Sequence, residues 1–442
     1  MRHLMLALIF LCWAAPTYAA TVDFGSGQVI GSFGAAVIAG NNGDDFVAHG
    51  PLTETNQYIQ FNLNNCTFTV TGGTYTFNGS GTTGDWLDII GDSNTFDLTD
   101  VAVTAYTNEV FVLSGNSNMV NHYTATNLGS AATTLIGLRL EGDSNTVEHI
   151  SMTASVVPNT HVYGIYVVNS SNNTVKHAEV VDFQSAAAVM DAYGVFLSGS
   201  ETSWVEDVLI TGLDATDDSF GIVGSEPGAT AGQLSTIQNV VIHSCSATDY
   251  VYAVRINTGS YNLINVVAYN LTGASGTRGF ITLSDAGDPT RDYNYVANCF
   301  MEADVGIWQH SSGTQAIVAY NNIAYNCPTN GFQSYVGSTL TTDYNTAFSN
   351  GTDYSNWPTS ANDWTGIDPV FVNAVTDNYK LDSSSPCIDT GTWITTRTTD
   401  VLRQPTSGSA QDRGAYEFQQ SNTRNARSWV TNPPVVVTRN RR

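Results

Sequence analysis

A short motif recurs along this chain about every 27 residues, and no other feature limits its possible folds as strongly. Four copies align directly: Asp85–Phe96, Glu109–Val120, Gly137–Val147 and Gly164–Val175. Their turn asparagines, Asn94, Asn118, Asn145 and Asn173, are separated by 24, 27 and 28 residues. Looser copies begin at Gly194, Gly221, Ala253, Gly279, Gly306 and Gly331. Each copy reads as an alternating strand, a polar turn, a second strand such as Val205–Ile210, and a variable loop.

One such unit cannot bury its apolar face alone, so the copies must stack. Charged residues make up 12% of the chain and hydrophobic ones 42%, which excludes a disordered polyelectrolyte. The predicted fold is therefore all-β: a single right-handed parallel β-helix of about ten coils with a C-terminal capping region. The chain divides into a leader (1–19), an N-terminal cap and first coils (20–84), the repeats (85–365), a terminal region (366–418) and a basic flexible tail (419–442). The repeated asparagines are expected to form a ladder at one corner, where the backbone turns left-handed.

The leader runs from Arg2 and His3 through the apolar stretch Leu4–Trp13 to the small residues before Ala20. That pattern reads as a secretory signal, too short to span a bilayer, and predicts a secreted or cell-surface protein with no transmembrane segment. Of 15 basic residues, one lies in the leader and five in the last 22 positions, so nine face all 39 acidic residues across the body. So acidic a body repels phosphate backbones and argues against nucleic acid as a partner.

Five cysteines follow the leader: Cys66, Cys245, Cys299, Cys327 and Cys387. The absence of a CxxC pair and the scattering of His residues disfavour zinc. Asn298-Cys299 and Asn326-Cys327 look like equivalent places on successive coils, where stacking would bring the two Cα atoms about 4.8 Å apart. Either a disulfide or a buried thiol ladder fits that spacing.

From Gly366 the repeat gives way to a series of blocks: Asp368-Pro369-Val370-Phe371, Tyr379-Lys380-Leu381, Ser385–Gly391, Arg403-Gln404-Pro405 and Asp412–Glu417. In order and wording these resemble the end of secreted bacterial β-helix proteins with a choice-of-anchor Q domain. The upstream repeats resemble the pectate-lyase-like superfamily in pattern. The resemblance implies a secreted or surface β-helix. On the residues themselves, the acidic positions in these blocks read as turn chemistry ahead of calcium binding.

Alternation along the strands sets which side chains face outward. With Leu138, Leu140, Ile165 and Val167 inward, the outward row is Asp88, Phe111, Arg139, Tyr166, Phe196, Val223, Arg255, Thr282, Trp308 and Gln333. Two residues earlier lies a nearly bare outward strip: Gly137, Gly164, Gly194, Gly221, Ala253 and Gly306. Two residues later come Glu141, Ser198, Asn257, Ser284 and His310. Aromatic faces stack on sugar rings, and Arg forks bind hydroxyls or carboxylates. Arg139, Tyr166, Phe196, Arg255 and Trp308 thus form a candidate groove for extracellular polysaccharide, as in an adhesin or matrix protein.

The alternative is a polysaccharide lyase, or less readily a glycoside hydrolase, on the same scaffold. The paired Asp and Gly-His-Gly block of polygalacturonase-like hydrolases do not occur. A lyase needs a base near a uronate, for which Arg255, Tyr166 and His310 are the candidates. Calcium is the one cofactor the sequence leaves open, with Asp285, Asp288 and Asp292, or the run Asp214–Asp218, as ligands. His49, His122, His149, His161, His177 and His243 are not expected to share a row.

Overall fold

The structure, a computed structural model, describes residues 20–419 except 26–27, 29–31, 56–57, 80–85, 130–133, 155–160, 187–188, 226–233, 284–292, 311–315 and 336–338. The leader and the basic tail lie outside the described residues. The chain is a parallel β-solenoid. Twelve strands, from Ile59–Phe61 to Thr352–Ser355, pair in parallel as the front sheet. Each strand pairs with the one a coil later: Leu135–Leu140 with Val162–Val168, then Ala192–Ser198, then Ser219–Ser225. Leu138, Ile165, Val195, Ile222, Val254, Phe280, Ile307 and Phe332 stack inward, all fully buried. Each such side chain contributes about 1.5–3 kcal/mol.

After each front strand the chain turns a corner lined by buried asparagines. Oδ1 of Asn118 accepts the Asn94 N–H at 2.9 Å, Asn145 accepts from Asn118 at 2.8 Å, and Asn173 accepts from Asn145 at 2.9 Å. The left-handed residue is the one before each ladder Asn: Ser93, Ser117, Ser144 and Asn172, with φ between 56° and 59°. This division of labour is sensible, since the ladder amide is consumed by the neighbouring coil while the small polar residue before it takes the strained backbone.

Beyond the corner lie flank strands such as Thr146–Ala154 and Thr174–Val181, each bent midway by one left-handed residue. In register these are His149, His177, Asp207, Asn239, Asn265, Asn298 and Asn321, with φ of 54° to 58°. His122 precedes them, its N–H bonded to the Glu148 carbonyl. His122, His149 and His177 therefore do share a row, contrary to the sequence expectation. Their rings lie 4.7 and 4.9 Å apart. The bend places these side chains on an outward ridge that strand alternation does not reveal.

The region after Gly366 runs lengthwise along this ridge. Asn321 Nδ2 donates to the Thr392 carbonyl, Asn298 to Asp412 and Asn265 to Thr399. Arg403 reaches Asp207 at 3.1 Å. A second core, with Val241, Val267, Phe300 and Ile323 from the flank and Tyr379, Leu381, Val401 and Tyr416 from the terminal region, seals the contact. Flank strands here are apolar on both faces, as in Val240-Val241-Ile242, because both faces are covered. Acids of the terminal region serve backbone N–H groups: Asp400 accepts from Leu402, Gln404 and Glu417, and Asp412 from Asp389 and Phe418.

All five described cysteines are buried free thiols. The Cys299 and Cys327 pairing fails because the two sit on different corners. Phe300 registers with Ile323, which puts Asn322 beside Cys299, and the Cys299 N–H donates to Asn322 Oδ1 at 2.9 Å. Both cysteines follow a left-handed asparagine, Asn298 and Asn326, so their local sequences match although their places do not. No helix among the described residues is long and apolar enough to cross a membrane.

Candidate functional site

The front strands do not alternate strictly. In Val162–Val168, Gly164 and Ile165 are both buried, so Tyr163 and Tyr166 both face outward. A Cβ on Gly164 would lie 2.4 Å from Val180 Cγ1 and one on Gly194 2.8 Å from Ile210 Cγ2. The glycine strip therefore faces the core, where the front strand approaches the flank too closely for a side chain. It is not the bare outward strip expected from the sequence.

Two outward rows result. The first is Ile136, Tyr163, Tyr193, Phe220, Tyr252 and Arg278; the second is Val112, Arg139, Tyr166, Phe196, Val223, Arg255, Ile281 and Trp308. Sequence alignment missed the first row entirely and misplaced two members of the second. Phe111 is buried against Trp86 and Tyr123, and Val112 takes its outward place. Thr282 is buried in register with Ile256 and Gln309, and Ile281 faces out in its stead. The coil lengths vary, so alignment by turn residues slips by one position at these two strands.

The rings of the two rows form one continuous stacked strip. Tyr163 and Tyr193 lie 4.7 Å apart, Tyr193 and Phe220 4.9 Å, Phe220 and Tyr252 5.2 Å, and Tyr166 and Phe196 5.3 Å. Burial holds the Tyr163 and Tyr252 phenols up at about 12, so they stay protonated at neutral pH.

Cations sit at both ends of the strip, in different states. Arg139 lies 5.9 Å from the Tyr166 ring and is clamped by Glu109 and Glu141. Its charge is already neutralised. Arg255 lies 5.3 Å from Phe220 and 5.2 Å from Tyr252, with its Nε donating to Asn257 Oδ1 at 2.8 Å. Arg278 lies 5.5 Å from Tyr250 and 5.1 Å from Trp308. Among the described residues, neither Arg255 nor Arg278 forms an ion pair with a carboxylate.

His310 packs edge-on against Trp308 at 4.4 Å. Desolvation first, then the Arg278 and Arg255 guanidiniums, hold its imidazole below the ordinary range, so it is neutral at pH 7. Of the three candidate bases, His310 sits beside Arg278 on the Trp308 ring, and Arg255 lies two register steps before Trp308. Tyr166 is three register steps from Arg255, about 14 Å away, and does not join them.

At the entry edge of the same strands lies an acidic group. Asp217, Asp218 and Asp249 place carboxylate oxygens within 4.8 Å of one another, close enough to share one ion. Asp191 joins them, accepting the Asp218 N–H at 3.2 Å and the Tyr193 hydroxyl at 2.8 Å. Burial and these neighbouring charges push the Asp218 carboxyl up to about 6. Of the run Asp214–Asp218, Asp214 instead accepts from Ser246. Asp285, Asp288, Asp292 and Ser284 lie outside the described residues.

No family model and no curated protein matches the chain. Among solved structures, it is similar to the pectate lyase Pel9A at 16% identity and a TM-score of 0.40, over 91% of this chain and 96% of that one. A PL6 alginate lyase bound to a trisaccharide gives 12% and 0.44, over 93% and 98%. The alginate lyase AlyF-OU02 gives 12% and 0.46, over 91% and 96%. The likeness is one of scaffold alone, a parallel β-helix.

Proposed function

We propose that this protein is a polysaccharide lyase acting on a chain that carries uronate units. One observation carries the reading: at one end of a strip of stacked rings, Arg255 and Arg278 form no ion pair with a carboxylate among the described residues, and His310 packs on the same Trp308 ring as Arg278. Arg255 and Arg278 would hold the uronate carboxylate and withdraw charge from the adjacent carbon. His310 would take the C5 proton as the C4–O bond breaks, leaving a 4,5-unsaturated uronate and a new hydroxyl end that takes up a proton from solvent. Tyr166, Phe196 and Trp308 would stack on sugar rings to either side. A secreted or cell-surface setting, with a terminal region of the choice-of-anchor Q type, belongs to the same proposal.

Incubation with a panel of uronate polysaccharides, with and without calcium, followed by absorbance at 235 nm, tests it. Unsaturated product that falls about 10²-fold or more in His310→Gln supports the reading. Retention on the polysaccharides without product would leave a non-catalytic binding protein. That second reading is favoured by one observation, that the strip's rings already satisfy one another as a ladder.

A further inference from the structure

The charge along the strip changes sign partway, and this bears on which polysaccharide fits. Following the front sheet from Arg139, two consecutive coils present only uncharged rings, Tyr163 with Tyr166 and Tyr193 with Phe196; in the third, Phe220 and Val223 are buried and the Arg255 guanidinium lies over the Phe220 ring. Cations appear only in the next two, Arg255 and then Arg278. The rim is acidic beside the uncharged coils and on into the strand of Arg255, which Asp249 directly precedes. Asp191 is bonded to the Tyr193 hydroxyl, and Asp218 accepts the Tyr250 N–H at 2.9 Å beside Asp217 and Asp249. Arg139, which would otherwise offset them, is committed to Glu109 and Glu141.

A sugar unit in an extended chain advances by a distance close to the rise of one coil, about 4.8 Å. A polyuronate laid along the strip would thus set carboxylates over the uncharged rings, next to Asp191 and Asp218, where like charges repel. Neutral sugars meet no such cost, and their apolar faces match the rings. From this register of charge we infer that the substrate is a heteropolysaccharide in which isolated uronates are separated by runs of neutral sugars, the uronate seating at Arg255 and Arg278 and the neutral run over Tyr163, Tyr166, Tyr193 and Phe196. The inference rests on the strip being the polysaccharide site proposed above.

Affinity electrophoresis of the full chain tests it, using deacylated gellan, whose repeat holds a single glucuronate among neutral sugars, against polygalacturonate and alginate, all in EDTA. Retention by gellan should exceed that by either polyuronate by about tenfold or more in Kd. The triple variant Asp217→Asn, Asp218→Asn, Asp249→Asn should narrow that gap by strengthening polyuronate retention, because each amide still offers an acceptor oxygen without the charge. Equal retention of polyuronates by the unaltered chain would overturn the inference, as would an unchanged gap in the triple variant. Polygalacturonate retained only when calcium replaces EDTA would also overturn it, since the acids would then attract uronates through an ion. The two readings fail separately: gellan preference without absorbance at 235 nm ends the lyase proposal and keeps the charge register, whereas elimination on polygalacturonate does the reverse. Retention on none of the three ends both.

Discussion

The Arg403 guanidinium donates to His177 Nδ1 at 2.6 Å, joining residues 226 positions apart in the chain. The same guanidinium pairs with Asp207, itself 3.1 Å from His177. This three-membered contact fastens the far end of the terminal region to the ridge of the rod. Its Arg403–His177 bond requires a neutral His177, because a protonated imidazole has no lone pair to offer Arg403 and repels it, whereas the Arg403–Asp207 pair does not.

A pH dependence of docking follows. Burial foremost, then Arg403, hold His177 below the ordinary imidazole range; Asp207 opposes them, His149 adds to the depression and Glu148 works against it. A depressed folded-state value means that the unfolded chain binds the proton more readily, so stability is present above the ordinary value and is lost as pH falls through the folded one. Protection factors across residues 398–406, with the intrinsic pH dependence of amide exchange divided out, should therefore fall between pH 7.5 and pH 5. His177→Gln keeps an acceptor without a titrating ring and should flatten that response. An equal response in both chains would rule out His177 as its source.

The front-sheet glycines make a sharper test of register. Gly164→Ala puts a Cβ 2.4 Å from Val180 Cγ1 and should destabilise the rod by about 1–3 kcal/mol, read as a lower urea midpoint. Gly34→Ala, in the helix Phe33–Ala39, meets nothing within 4 Å and should be neutral or stabilising by up to about 1 kcal/mol. If Gly164 faced solvent, the two substitutions would behave alike.

The same glycines show what the sequence could and could not disclose. The repeat and its asparagine ladder were legible because each coil repeats the same corner, with Asn118, Asn145 and Asn173 doing one job at nearly fixed spacing. The register of the front strands was legible only in part. Arg139, Tyr166, Phe196, Arg255 and Trp308 do share an outward row. Tyr163, Tyr193 and Tyr252 were hidden because two successive inward residues, Gly164-Ile165, Gly194-Val195 and Ala253-Val254, break the period of two. The signal existed: an aromatic residue directly before the glycine in Tyr163-Gly164, Tyr193-Gly194 and Phe220-Gly221. The histidine row was hidden for a different reason, since its members align only once the bend in the flank strands is known. Long-range contacts such as Arg403 with His177 leave no periodic trace at all.

Inside the terminal region, Arg397 pairs with Glu417 at 3.0 Å, with both side chains almost completely buried. Removing one partner from such a pair strands the other charge. Glu417→Gln should cost about 3–5 kcal/mol in the unfolding of this region by urea. Replacing both, Arg397→Met with Glu417→Leu, should cost clearly less, because no unpaired charge remains. Equal losses for the single and double variants would mean that packing, not charge, governs the contact.

The proposed base gives the last prediction its sign. Desolvation and the nearby Arg278 and Arg255 keep His310 below the ordinary imidazole value, so the acid limb of kcat/KM for elimination should fall below pH 6.5, where a free imidazole would place it. Arg278 is the larger of the two charge effects. Arg278→Gln should lower the rate, by loosening the uronate carboxylate, and also move the acid limb to higher pH, by removing a cation that disfavours the imidazolium. A merely structural role for Arg278 would lower the rate and leave the limb where it was. The position of the limb, more than the size of the loss, thus separates a guanidinium that tunes His310 from one that only props up the strip.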